Sequence, residues 1–184
     1  MKTKLLTNMY DFDCKLFRSV NRHFDHKILN FYFRTITHLG GAITTIAVCL
    51  IMFSFTKGLV QATSIASGAA LLISHLPVTL VKKLYPRNRP YLTLLEAKVT
   101  ANPLRDHSFP SGHTTAIFSV IIPFILLMPS LVLFLIPLAI SVGLSRMYLG
   151  LHYPSDVIVG CILGTSSGFI SYFLLSLFPL IPPM

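Results

Sequence analysis

The polar and apolar positions of this chain are sorted into long blocks. After a mixed opening, five apolar runs follow, at 39–56, 58–81, 113–128, 131–145 and 154–178. A hydrocarbon core is crossed by roughly 20 apolar residues, with about 17–25 tolerated. The first, second and fifth runs meet that length, and the third and fourth are short. Met128-Pro129-Ser130 reads as a tight turn between two helices. Pro123 and Pro137 fall inside the short runs, where a kinked helix is tolerated if neighbouring helices surround it. The pattern predicts an all-α, polytopic helical membrane protein with five transmembrane helices.

The opening differs. Across 1–38, Leu16, Val20, Phe24 and Ile28 recur at helical spacing, with Arg18, Arg22, Asp25 and Lys27 between them. That predicts an amphipathic helix lying in the membrane interface. Carrying those charges across the hydrocarbon would be costly. The other polar stretch, 82–112, carries Lys82, Lys83, Arg87, Arg89, Lys98 and Arg105, and a short interfacial helix is predicted over 92–99. The chain therefore divides into an interfacial segment, 1–38, and a helical membrane domain, 39–184, with 82–112 as its principal loop. There is no internal repeat.

Composition sharpens this picture. The chain is 53% hydrophobic and 11% charged, and from Gly112 to Met184 its only formally charged residues are Arg146 and Asp156. A soluble domain averages about a quarter charged residues, and one built this way would expose large apolar patches. The net charge of +9 lies beside apolar spans, so it points to membrane lipid headgroups or an anionic substrate and not to nucleic acid. Cys14, Cys49 and Cys161 have neither metal nor disulfide spacing and read as small core residues. The first 40 residues lack an uninterrupted apolar stretch, so no cleavable signal peptide is expected.

Alternating helices bring the chemistry to one side. The second run ends at Lys82, the third begins at His113, the fourth ends at Ser145-Arg146 and the fifth begins just after His152. Lys82, Arg89, Ser111, His113, Arg146, His152 and Asp156 thus share one membrane face. Lys82, Arg89 and Arg146 suit phosphate oxygens, which a guanidinium fork meets bidentately. Phe109-Pro110-Ser111-Gly112-His113 opens a helix, whose free N–H groups favour an anion. Gly112 admits close backbone approach, and Ser111 offers a hydroxyl donor. Of the imidazoles of His113 and His152, one can attack phosphorus and the other can protonate a leaving oxygen. Asp156, four residues after His152, can hold that ring and its tautomer. Interfacial anchoring would explain any one of these charges, but not the whole set. His75, inside the second run, is expected to hydrogen-bond a neighbouring helix.

These residues resemble the type 2 phosphatidic acid phosphatase (PAP2) family, which shares its active-site signature with vanadium haloperoxidases. Lys82, Arg89 and Pro90 match Lys-x6-Arg-Pro. Pro110 to His113 match Pro-Ser-Gly-His. Ser145, Arg146, His152 and Asp156 match Ser-Arg-x5-His-x3-Asp. All eleven fixed positions are present in order, and Thr37-His38-Leu39-Gly40 is also similar. The resemblance implies a metal-independent phosphatase, without cofactor, that forms a phosphohistidine. His152 would be the nucleophile, Asp156 its orienter and His113 the general acid. Lys82, Arg89, Ser111, Gly112 and Arg146 would cradle the phosphoryl group. The chain departs from the family pattern at its N-terminus, where an amphipathic segment stands in place of a first membrane helix.

The expected substrates are lipid phosphate monoesters or diphosphates: undecaprenyl diphosphate, phosphatidylglycerol phosphate or phosphatidic acid. Transfer of the phosphoryl group to an alcohol, and a non-enzymatic lipid transporter or scramblase on the same fold, are the alternatives. The resemblance puts the active site on the extracytoplasmic face of the cell membrane. Loop charge argues the other way. With five spans, fourteen basic residues share the catalytic face and only Lys57 lies opposite, which by the positive-inside rule turns that face to the cytoplasm.

Overall fold

The structure, a computed structural model, describes residues 2–177. Phe178, the last residue of the fifth apolar run, lies outside them. The elements are α1 (Lys2–Asn21), α2 (Lys27–Ile36), a 3-10 turn (Thr37–Gly40), α3 (Ala42–Phe55), α4 (Gly58–Leu84), α5 (Pro90–Thr93), α6 (Gly112–Leu127), a 3-10 turn (Pro129–Leu131), α7 (Val132–Tyr148) and α8 (Pro154–Ser176). The described residues contain helices and no strand.

Each apolar run forms a helix. Gly58–Leu84, Pro129–Tyr148 and Pro154–Ser176 are individually long and apolar enough to cross a membrane. Lys27–Gly40 and Ala42–Phe55 make a fourth candidate only as a pair, bent by 57°. The 16-residue α6 is shorter: at 1.5 Å per residue it spans about 24 Å, less than the roughly 30 Å hydrocarbon core.

That short helix is the centre of the bundle. Residues Thr114 to Phe124 of α6 are almost all buried, and α4 and α8 pack against it. Small residues let the backbones approach. A Cβ on Gly160 would lie 2.7 Å from the Ser111 carbonyl oxygen, and one on Gly164 would strike that of Thr115. Hydroxyls cross the same interfaces: Ser67 donates to the Val120 carbonyl (2.9 Å) and Ser171 to that of Ala66 (2.6 Å). Leu72, Leu76 and Leu80 face outward on α4. His75 faces outward with them and sits 3.3 Å from Thr79 of its own helix, not bonded to a neighbouring helix as expected.

The N-terminal amphipathic segment forms two helices, and its inward face differs from the expected row. Leu16 and Ile28 are exposed, whereas Asp13, Cys14, Phe17 and Asn21 are buried. Phe17 packs with Cys14 against Tyr153, and Phe24 and Phe33 lie against the Tyr148 ring. The Asn21 amide donates to the Lys98 and Tyr148 carbonyls (2.8 and 2.9 Å) and accepts from the Lys98 N–H (2.9 Å). The segment thus covers the polar ends of α7 and α8. These bonds also explain why the helix predicted over 92–99 is only Pro90–Thr93. Beyond it the backbone is tied to Asn21 and runs against Gly150, whose φ of +78° suits glycine and whose Cβ would strike the Lys98 carbonyl.

Candidate active site

The site is built at the ends of α4, α6, α7 and α8. At the end of α4, the Lys82 ammonium donates to Asp106 Oδ2 (2.5 Å) and to the His107 carbonyl (2.9 Å). Arg89, just before α5, is wholly buried. Its Nε donates to the Asp106 carbonyl (2.8 Å), its Nη2 to Asp106 Oδ1 (2.6 Å) and its Nη1 to the Leu151 carbonyl (2.8 Å). Asp106 therefore bridges the two cations. Burial works against its carboxylate, but Lys82 and Arg89 outweigh that and hold its pKa at about 2.

His152 sits in the turn between α7 and α8, 2% exposed. Its Nε2 lies 3.1 Å from Arg89 Nη1, a group that can only donate, so Nε2 presents its lone pair and Nδ1 carries the proton. Nδ1 faces Asp156 Oδ2 at 3.5 Å, too far for a formed hydrogen bond; Asp156 acts on the ring by charge and orientation. The spacing of four is explained by the helix start. Asp156 is the third residue of α8, and its Oδ2 accepts the Tyr153 N–H (2.8 Å), as in a capping box. Burial lowers the His152 pKa to about 4 despite the neighbouring carboxylate, so the ring is neutral at pH 7.

Ser111 caps α6; its N–H donates to the Asp156 carbonyl (3.0 Å), and its hydroxyl pairs with that of Thr114 (2.9 Å). This seats the start of α6, with Gly112 and His113, against the start of α8. Arg146, 3% exposed at the end of α7, donates from Nη1 to Thr37 Oγ1 (2.7 Å). Its Nε and Nη2 are buried without a partner. A recess of about 410 Å³ opens over His113 and Arg146, with Arg34, Thr37, His38 and Asn102 on its walls.

The structure joins Arg89, His152 and Asp156 directly, adds Lys82 through Asp106, ties Ser111 to α8, and puts His113 and Arg146 on a common recess. Nothing in the sequence singled out Thr37 or Asp13 for the site, and Arg87 read only as one of the basic residues of the 82–112 loop. Instead Arg87 pairs with Asp13 (2.7 Å) and Asp156 (2.8 Å). Thr37 belonged to the stretch already noted as similar, which packs on His113: a Cβ on Gly40 would lie 2.7 Å from the His113 carbonyl oxygen. Among the described residues, no group of three or more His, Cys, Asp or Glu side chains is placed to hold a metal ion.

Comparison with known proteins gives the family. The chain is 36% identical over 98 residues to the lipid A 1-phosphatase of Rhizobium etli, covering 51% of this chain and 42% of that protein. It is 32% identical over 124 residues to the undecaprenyl-diphosphatase of Sulfolobus acidocaldarius, covering 66% of this chain and 58% of that one. It thus spans about half the length of these curated relatives. The crystal structure of Aquifex aeolicus LpxE matches 85% of this chain and 92% of its own, with a TM-score of 0.75 and 26% identity. The family model of the PAP2 superfamily matches residues 57–177, a stretch that holds Lys82, Arg89, His113, Arg146, His152 and Asp156. The chain is a membrane protein that belongs to the PAP2 superfamily.

Proposed function

We propose that this chain is a metal-independent membrane phosphatase that hydrolyses a lipid phosphate monoester or diphosphate. One observation carries the reading: the Arg146 guanidinium is buried at the recess with two nitrogens unpartnered. An unpaired buried charge is costly unless a counter-charge occupies the site in use, and phosphate oxygens fit a guanidinium fork. Undecaprenyl diphosphate, phosphatidylglycerol phosphate and phosphatidic acid are the candidate substrates, and the names of the relatives add lipid A phosphate.

In this reading the phosphoryl group draws the Arg89 N–H away from His152 Nε2, and the freed Nε2 lone pair attacks phosphorus while the ester or anhydride P–O bond breaks. His113 gives its proton to the leaving oxygen. Asp156 steadies the proton on Nδ1 and the positive charge that grows on the ring. Arg89, Arg146, Lys82, the Ser111 hydroxyl and the backbone at Gly112 bind the equatorial oxygens. Water, deprotonated by His113, then attacks the phosphohistidine, breaks the P–N bond and restores His152. The catalytic unit is residues 39–184, with 82–112 as its loop and 1–38 as an interfacial segment.

We place the site on the extracytoplasmic face, where an enzyme recycling carrier lipids meets its substrate. Phosphate release from purified undecaprenyl diphosphate, phosphatidylglycerol phosphate, phosphatidic acid and lipid A tests the activity; hydrolysis of none refutes it. Sidedness is tested with single cysteines at Leu95 and Ser130, both exposed and flanking opposite ends of α6, in a background lacking the three native cysteines. An impermeant maleimide applied to intact cells should label position 95 only. Labelling of position 130 only places the site in the cytoplasm.

A further inference from the structure

Two charged residues beside the site, Arg87 and Asp13, have no part in that mechanism. Arg87 lies two residues ahead of Arg89, between α4 and α5. Its Nη1 donates to Asp156 Oδ1 (2.8 Å) and to the Ser155 hydroxyl (2.7 Å), and its Nη2 donates to Asp13 Oδ2 (2.7 Å). The guanidinium carbon sits 3.9 Å from the centroid of the Tyr153 ring. Asp13, buried on α1, also accepts the Ser155 N–H (2.9 Å) and the Ser155 hydroxyl (2.5 Å). Residues 13, 87, 155 and 156 therefore form one clasp around the start of α8.

The clasp decides how the Asp156 carboxylate is turned. Oδ2 takes the Tyr153 N–H and faces His152, while Oδ1 is held by Arg87. With both oxygens fixed, the carboxylate cannot rotate away from the ring. We propose that Arg87 and Asp13 are positioning residues of the reaction, which hold Asp156 against His152 so that the N-terminal helix completes the active site. The proposal rests on the roles given above to His152 and Asp156.

Anchoring α1 does not by itself call for these charges. Phe17 and the three Asn21 hydrogen bonds already fasten that helix, and a buried ion pair adds little stability over apolar packing. The charge count fits a catalytic use better. Within the clasp one cation lies between two carboxylates, so the Nδ1 side of His152 keeps a net negative charge, opposite the Arg89 guanidinium at Nε2, and that is the sign that stabilises the imidazolium formed as Nε2 attacks. The clasp thereby couples docking of an amphipathic interfacial helix to assembly of the site.

The test is steady-state phosphate release by the purified full chain, with whichever of undecaprenyl diphosphate, phosphatidylglycerol phosphate, phosphatidic acid and lipid A it hydrolyses fastest. Asp13→Asn and Arg87→Gln should each lower kcat about 10- to 100-fold, as small misplacements of catalytic groups do, with KM within about twofold. The double variant should be no worse than the worse single variant, and Arg87→Lys should recover part of the loss. Asn21→Ala, which cuts the other anchor of α1, should lower the thermal midpoint while keeping kcat. Wild-type kcat in both single variants, multiplicative losses in the double variant, or an equal kcat loss in Asn21→Ala overturns the proposal. Should Arg87→Gln not fold, kcat of the near-isosteric Asp13→Asn decides alone. If His152→Ala is inactive while the clasp variants turn over normally, only the positioning role fails; an active His152→Ala removes the mechanism beneath it.

Discussion

Replacing Arg146 by Met should separate activity from stability. The side chains are similar in length, and Arg146 is almost wholly buried, so Met takes up most of the space the guanidinium fills. The guanidinium makes one side-chain hydrogen bond, to Thr37, and leaves Nε and Nη2 unpartnered. The variant loses that one bond, worth about 1 kcal/mol net for an ordinary hydrogen bond and about 1.5–3 kcal/mol for one to a charged group. In exchange it removes a buried charge short of partners, which is costly to hold; apolar replacement of even a paired buried charge is often neutral or stabilising, by up to about 4 kcal/mol. The thermal midpoint, followed by circular dichroism at the helical minimum, should therefore hold or rise. Activity should not. Two charge-assisted bonds to the phosphoryl group, at about 1.5–3 kcal/mol each, amount to about 3–6 kcal/mol, or a loss of roughly 10²–10⁴ in kcat/KM. Orthovanadate, by occupying the same recess, should raise the midpoint of the wild type and leave that of Arg146→Met unmoved. A marked fall in the midpoint, together with near-normal phosphate release, would refute the argument and make Arg146 a structural residue.

Other outcomes follow from the same site. Because the His152 pKa lies at about 4, the ring is neutral and nucleophilic above that value. The activity it supports should be lost as pH falls through about 4, and an acid limb in kcat/KM near 7 would contradict this assignment. Vanadate should inhibit competitively, since its five-coordinate adducts resemble the transition state. EDTA should leave activity intact, because the described residues offer no carboxylate and imidazole cluster for a metal; magnesium-dependent recovery after EDTA would count against the mechanism.

Much of the site was legible in the sequence because its charged residues stand out against apolar runs. Arg146 and Asp156 are the only formal charges in the last 73 residues, and helix alternation alone brings them to the side of Lys82 and His113. Asp13 and Arg87 were not legible, for two physical reasons. Arg87 is one of six basic residues in a single loop, and nothing local marks it as paired. Its partners lie 74 and 69 positions away, so only the folded chain joins them. The predicted apolar row was half right for a related reason: Asp13 and Asn21 point inward to meet backbone and charge, so Val20 and Phe24 pack inward while Leu16 and Ile28 stay outside. The 92–99 helix failed because hydrogen bonds to Asn21, distant in sequence, outcompeted local helical ones.

The central claim is that His152 becomes covalently phosphorylated. The direct measurement is a rapid alkaline quench during turnover, which preserves a phosphorus–nitrogen bond, followed by mass spectrometry of the peptide that carries His152. A phosphoryl group should appear on His152 at early times, decay as phosphate is released, and be absent in His152→Ala, which should fold normally and release no phosphate. Phosphate release at the wild-type rate by His152→Ala, or a phosphoryl group on any other side chain, would contradict the account.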